Sequence, residues 1–353
     1  MTGTGNTIKL IADIPSKPWT KKTMPQRILA IRLQAMGDMV ITLPYLQQLK
    51  KMLPPNTKLD LLTREEVHEI PRNILLFNKI HSIKGGRNFK KQLLYTGLLL
   101  PKLLLQRYDV VVDLQNNILS RIVRKSLMPK AWSEFDRFSP VAAGESTRLT
   151  IEAIRLGECF ADKTGFQFKY DNDCTRILKA NGWDGESELV VLNPAGAFIT
   201  RNWPVDYYID FAKLWSEKFP RTQFLIIGVH TIAEKTTILK KMLGNKLIDL
   251  VNKTNPVQAF ALIQKTKLVL SEDSGLMHMA WVSGIPTLAI FGSTKSQRST
   301  PLGDHTLLLH SGDLECGNCM QEICRHGDTH CLTRYTAAFV FKKALKLIGN
   351  IQE

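Results

Sequence analysis

The chain has 353 residues, 44% hydrophobic and 22% charged, and its 47 Lys and Arg against 32 Asp and Glu give a net charge of +15. That length exceeds one typical core and predicts two domains of ordinary globular composition. No stretch offers the ~20 continuous apolar residues of a spanning helix. The start, MTGTGNTIKLIADIPSKPWTKK, lacks the apolar centre of a secretory signal, so residues 1–26 are expected to be a flexible basic lead-in to a cytoplasmic protein. A charge excess of this size suits nucleic acid, an anionic membrane surface or an acidic small molecule. The basic pairs are scattered and no zinc-finger, RRM or P-loop signature occurs, so nucleic acid is not expected.

Arg27 to Leu33 (RILAIRL) reads as a buried parallel strand running into the turn Gln34-Ala35-Met36-Gly37-Asp38, followed by a helix that ends near Pro54. Further strands are expected at 58–62 and 80–83, and Tyr108 to Leu114 (YDVVVDL) is another, ending in Gln115-Asn116-Asn117. Strands alternating with helices imply an open α/β sheet, whose ligands collect at the strand carboxyl ends. Asp38 lies at such an end, either as a helix cap or as a carboxylate available for proton transfer. The leucine-rich segment from Lys90 to Arg107 has the composition of a membrane-surface helix, but packing on the sheet before YDVVVDL accounts for it and is the expectation. Residues 145–157 look helical, and the polar stretch 170–187 resembles a domain boundary.

A second α/β unit begins with the strand 189–192 and the small-residue turn Asn193-Pro194-Ala195-Gly196-Ala197, followed by Arg201 and by a helix starting near Pro204. Strands at 223–227 and 248–251 and a helix at 256–265 follow. The segment KLVLSEDSGLMHMAWVSGIPTLAIFG, residues 267–292, then reads as strand, polar turn, helix and strand. Asp273 and Ser274 stand where a helix cap is needed, and the first turn of the helix offers N–H groups and a positive dipole end to an anion. His278, four residues after Ser274, shares its helix face. Four cysteines follow, Cys316, Cys319, Cys324 and Cys331, with His326 and His330 among them; the spacing is a framework for zinc or an iron–sulfur cluster, or a set of free thiols. A final helix, 336–348, is long enough to pack back on the first domain.

With these motifs in order, the chain resembles the ADP-heptose:lipopolysaccharide heptosyltransferases of glycosyltransferase family 9. RILAIRLQAMGDMVITLP resembles the family's first strand and Gly-Asp turn, YDVVVDLQ its central strand, NPAGAFITRNWP its Pro-Gly-Ala turn with basic residue and Trp-Pro, and SEDSGLMHMAWVSGIPTLAIFGST its most diagnostic segment. Departures are Glu272 for Asn, Leu276 for Pro, Arg201 for Lys, Asn252 for Gly, the extra Ala195, and Leu119 near a position that is often basic. The resemblance implies an α/β fold of the GT-B type, two Rossmann-like domains facing a central cleft. Its expected divisions are an acceptor-binding domain at 27–178, a nucleotide-sugar-binding domain at 186–334 and the C-terminal helix at 335–353.

It implies an inverting transferase that needs no metal for its chemistry and carries a heptose from ADP-heptose to a phosphorylated lipid core, in peripheral contact with the anionic inner membrane surface. Asp38 is then the general base. Ser274 and Gly275, through their N–H groups, and Arg201 hold the diphosphate, with Asp273 as a supporting cap. His278 reaches donor phosphate or sugar, or is a satisfied interior histidine; Glu234 is a candidate for the ribose hydroxyls, or is solvent-exposed; the adenine rests near Val251 to Thr254. Gly37, Gln115 and Ser120 fall on the acceptor side. Two rivals are a related transferase with another nucleotide sugar or acceptor, and a non-catalytic basic protein for anionic lipid or nucleic acid.

Overall fold

The apolar runs form parallel strands because helices cover both faces of each sheet and no face is left to alternate with polar residues. The computed structural model describes residues 14–169 and 173–352, and the chain divides into two units, Met1–Lys169 and Tyr170–Glu353. In the first unit, β1 (Ser16–Lys17), β2 (Arg27–Ile31), β3 (Lys58–Arg64), β4 (Lys79–Ile83), β5 (Val110–Asp113) and β6 (Ala131–Glu134) form one sheet in the order β1-β6-β5-β2-β3-β4. All pairs are parallel except β1 with β6. The chain leaves β2 for β3 on one side and reaches β5 on the other. The carboxyl ends of β2 and β5 therefore border the crevice where strand order reverses, the place where such sheets hold ligands.

The second unit repeats the plan without an antiparallel edge. Strands β7 (Glu188–Asn193), β8 (Thr222–Gly228), β9 (Leu247–Val251), β10 (Leu268–Glu272), β11 (Thr287–Ile290) and β12 (Thr306–Leu309) run in the order β12-β11-β10-β7-β8-β9, all parallel. Its reversal point lies between β7 and β10. The turns Asn193–Ala197 and Ser271–Gly275 leave from those two carboxyl ends. The sheet is clamped by a core that includes Trp203, Tyr208, Phe211, Trp215, Phe224 and Leu332.

Several expectations change. Part of the lead-in is built into the first unit: Ser16–Lys17 is the strand β1, and Ile14 is buried with Leu149 and Ala153. The division falls at Lys169, ahead of the expected boundary, and the helix Asp173–Ala180, with Cys174 and Leu178 buried, lies in the second unit. The final helix, Ala337–Gln352, expected on the first unit, has its buried residues Val340, Ala344, Leu347 and Ile348 in the core of the second, against the helix Val205–Lys218. The leucine-rich helix, Phe89–Leu104, departs most. It buries Gln92, Thr96 and Leu103, while Leu93, Leu94, Leu98 and Leu104 are exposed. Packing on the sheet therefore uses a narrow, partly polar strip.

Trp215 is fully buried among Phe211, Phe219 and Phe341, with ring centroids 5.6, 4.9 and 6.2 Å away. Trp215→Ala is expected to lower unfolding free energy by about 3–5 kcal/mol in urea denaturation, because the void cannot close between a helix pair and a sheet.

Candidate functional site

The carboxyl end of β10 carries an acidic side chain pointing into the core. Glu272 is fully buried and accepts hydrogen bonds from the Gly196 N–H at 2.5 Å, the Trp203 N–H at 2.7 Å and the Tyr208 hydroxyl at 3.3 Å. Two of these donors are backbone groups of the turn after β7. One carboxyl group thus fixes the Asn193–Trp203 loop against β10. Burial pushes the Glu272 carboxyl up to about 7, against the pull of Lys235 and the three donors. Gly196 is needed because a Cβ there would meet the Arg201 carbonyl oxygen and would lie 2.8 Å from the Glu272 carboxylate. Asn193 completes the junction, its side-chain amide donating to Ser271 Oγ at 2.8 Å and to Ser274 Oγ at 2.6 Å.

On this junction stands the helix Gly275–Val282, with Ser274 as its N-cap and its Oγ accepting the Met277 N–H at 3.5 Å. The cap is Ser274 and not Asp273. Asp273 faces Arg201 instead, with 3.6 Å between Arg201 Nη1 and the carboxylate, and the Arg201 guanidinium lies 4.7 Å above the Phe198 ring. Gly275 is exposed, with open space where a Cβ would lie. A helix start with exposed backbone, next to an arginine held by a single long ion pair, suits an anionic group with several oxygens.

The other donor-side candidates are less concentrated. His278 is buried and accepts the Trp281 indole N–H at 3.1 Å on Nδ1. Glu234 is exposed, and Thr254 is half-buried beyond the end of β9. The neighbour of Glu234 is the residue that reaches the junction: Lys235 Nζ donates to the Pro194 carbonyl at 2.8 Å and to Asn202 Oδ1 at 2.5 Å. Burial lowers its pKa, with Glu272 opposing. Sequence reasoning passed over Lys235 and gave Asn193 and Glu272 no role in the site; their partners lie between 33 and 81 residues away along the chain. The one available signal was Glu272 itself, a charge at the end of an apolar strand.

In the first unit the helix Met36–Met52 starts two residues before Asp38, which lies in its first turn and is not its cap. Asp38 Oδ2 accepts the Ala35 N–H at 3.1 Å and the Arg32 Nη2 at 2.8 Å, and the side chain is 41% exposed. The carboxylate is held in place yet reachable. Arg32 is buried, donates also to the Leu114 carbonyl and lies 5.2 Å from the Phe135 ring centroid; burial lowers its pKa, and Asp38 raises it. It is the second of the two arginines in RILAIRL, and so was visible in the sequence. Gln115 uses its side-chain oxygen on the Leu33 and Gln34 N–H groups, at 2.9 and 3.0 Å, tying β5's end to the Asp38 turn. Gly37, like Asp38, lies in the first turn of the helix Met36–Met52. Ser120 is buried in a reciprocal cap with Asn117, accepting its N–H at 2.9 Å.

Cys316, Cys319, Cys324 and Cys331 are free thiols lining one cavity with His326 and His330. Burial and the other three cysteines push the Cys331 thiol up to about 11. Among the described residues, no three His, Cys, Asp or Glu side chains are gathered so as to hold a metal ion. The side chains as arranged therefore do not fit a zinc or iron–sulfur site.

Comparison with known proteins agrees with this architecture. A model of glycosyltransferase family 9 (heptosyltransferase) matches residues 161–330. Lipooligosaccharide heptosyltransferase 2 of Campylobacter jejuni is 28% identical over 293 residues, covering 80% of this chain and 85% of the relative. Among solved structures, a family 9 glycosyl transferase from Veillonella parvula superposes with a TM-score of 0.75 at 18% identity, covering 92% of this chain and 97% of its own. The ADP-heptose lipopolysaccharide heptosyltransferase II of E. coli superposes with a TM-score of 0.68 at 17% identity, covering 93% and 100%. The fold is the GT-B type expected from the sequence.

Glu272 also makes stability depend on pH. Its folded-state pKa of about 7 exceeds the ordinary 4.5. Its contribution is therefore fully present below pH 4.5 and is lost as pH rises through about 7, a change of up to ~3 kcal/mol. Urea denaturation across this window is expected to show wild type losing stability relative to Glu272→Gln; parallel profiles would refute the assignment. Gly196→Ala is expected to cost more than ~2 kcal/mol in the same measurement.

Proposed function

From the match of glycosyltransferase family 9 over residues 161–330 and the likeness to a lipooligosaccharide heptosyltransferase, we propose that the chain transfers a heptose from ADP-heptose to a sugar hydroxyl of the inner core of lipopolysaccharide or lipooligosaccharide, inverting the anomeric carbon. The observation that carries this reading is the junction made by Glu272, which keeps the exposed amino end of the helix Gly275–Val282 and Arg201 together at the reversal point of the second sheet. The donor follows from the E. coli heptosyltransferase named for ADP-heptose, and the acceptor from the lipooligosaccharide enzyme of Campylobacter.

In this proposal Asp38 removes the proton of the acceptor hydroxyl as it attacks the anomeric carbon. A neutral hydroxyl is a poor nucleophile, and a positioned base is worth ~10²–10⁴-fold. The Ala35 N–H and Arg32 orient the carboxylate through Oδ2, so it needs little reorganisation when the acceptor arrives. The departing ADP gathers negative charge on its diphosphate. The N–H groups at Ser274 and Gly275, the helix dipole and Arg201 meet that charge. Diphosphate oxygens displace Asp273 from Arg201, whose 3.6 Å pair is long for a charge-assisted hydrogen bond. The +15 charge favours both an ADP-sugar and a phosphorylated lipid.

Asp38→Asn is expected to lower turnover by ~10²–10⁴-fold while ADP-heptose binding stays near normal; unchanged turnover removes the base assignment. Arg201→Ala is expected to weaken ADP binding about ten-fold or more in calorimetry, and unaltered affinity takes it out of the donor site. A donor panel that released UDP or GDP in place of ADP would replace the donor.

A further inference from the structure

The helix Phe89–Leu104 is amphipathic the wrong way round for a core helix. Its polar residues Gln92 and Thr96 face inward, satisfied by the Gly86 carbonyl at 2.6 Å and the Gln92 carbonyl at 2.7 Å. Its outward stripe, at spacings of four and seven, is Leu94 at 60% exposure, Leu98 at 68% and, just past the helix end, Leu105 at 80%. The neighbouring helix Ile118–Leu127 packs against it. That helix adds Ile118 at 61% and, just past its end, Met128 at 83%. Apolar surface on this scale marks an interaction site in a folded protein.

The charges around the stripe decide what it meets. Lys90, Lys91 and Lys102 on the first helix and Arg121 and Lys125 on the second are all exposed, and neither helix contains an Asp or Glu. A second copy of the chain in a two-fold pair would set these cations against themselves. An anionic lipid surface meets the cations with headgroups and the leucines with the acyl boundary. Sixteen residues make a helix ~24 Å long, short of the ~30 Å hydrocarbon core, and among the described residues no helix is long and apolar enough to cross a membrane. We propose that these two helices form the face by which the protein docks on an anionic bilayer, the leucine stripe lying in the plane of the interface.

The docking face is coupled to the first-unit turn. Arg64 donates to the Gly86 carbonyl at 2.6 Å, in the loop that enters the leucine-rich helix, and to the Gln34 side chain at 2.7 Å, in the turn carrying Asp38. Docking therefore also sets the height of Asp38 above the lipid, a consequence that rests on the acceptor being membrane-borne.

The test uses the full chain and vesicles free of sugar, so its result is independent of the transferase reading. Wild type is expected to co-sediment with mixed phosphatidylcholine–phosphatidylglycerol vesicles, to be released by salt and to leave pure phosphatidylcholine vesicles unbound. Lys90→Glu with Lys91→Glu is expected to weaken binding at least about five-fold for each cation removed, and Leu94→Glu with Leu98→Glu at least about ten-fold, with the thermal transition unchanged because these side chains are exposed. Should the leucine variant fail to fold, the lysine variant decides. Equal binding to both vesicle types, wild-type binding by either folded variant, or a wild-type dimer that the leucine variant dissolves in the absence of vesicle binding would overturn the proposal.

Discussion

A single buried carboxyl group organises the second unit's functional end. Glu272 ends the parallel strand β10, after the buried apolar Leu268, Val269 and Leu270, and water cannot reach it. An ionisable group in that position must find donors or be expelled, because desolvation is too costly to leave unanswered. The donors it finds belong to the loop after β7, so its burial and the loop's conformation are one event. The loop then delivers Arg201, and β10 delivers the helix start, to the same side of the sheet. The close fit at Gly196, where no Cβ has room, follows from the same constraint.

The first unit solves a related problem with the opposite sign. Arg32 is buried beside the end of β2 and meets the Leu114 carbonyl, the Phe135 ring and Asp38. Its guanidinium holds Asp38 through Oδ2 while the Asp38 side chain stays partly exposed. In both units a buried charge at a strand's carboxyl end props up an exposed group one turn later. Parallel sheets favour this arrangement, since their strand ends are the one place where an interior charge can still touch loop backbone. The exposed leucine face of the same first unit adds a surface whose apolar content the core does not use, with basic residues beside it.

The sequence by itself determined the fold. Apolar runs too continuous for a half-exposed sheet, separated by helical spacing, specify a doubly wound parallel architecture, and the small-residue turns mark the strand ends where ligands gather. Asp38, Arg201, Ser274 and Gly275, the residues on which the proposed mechanism rests, stand in local motifs and so could be picked out as candidates before any fold was known. Periodicity misjudged the burial of the leucine-rich helix, since hydrophobicity does not tell which face turns inward. Tertiary structure alone decided the partnerships. That Glu272 holds Gly196 and Trp203, that Lys235 and not Glu234 reaches the junction, that Asp273 pairs with Arg201, and that the last helix enters the second unit's core all depend on residues distant in the chain. Burial and hydrogen-bond satisfaction are properties of the assembled interior, and no local spacing encodes them.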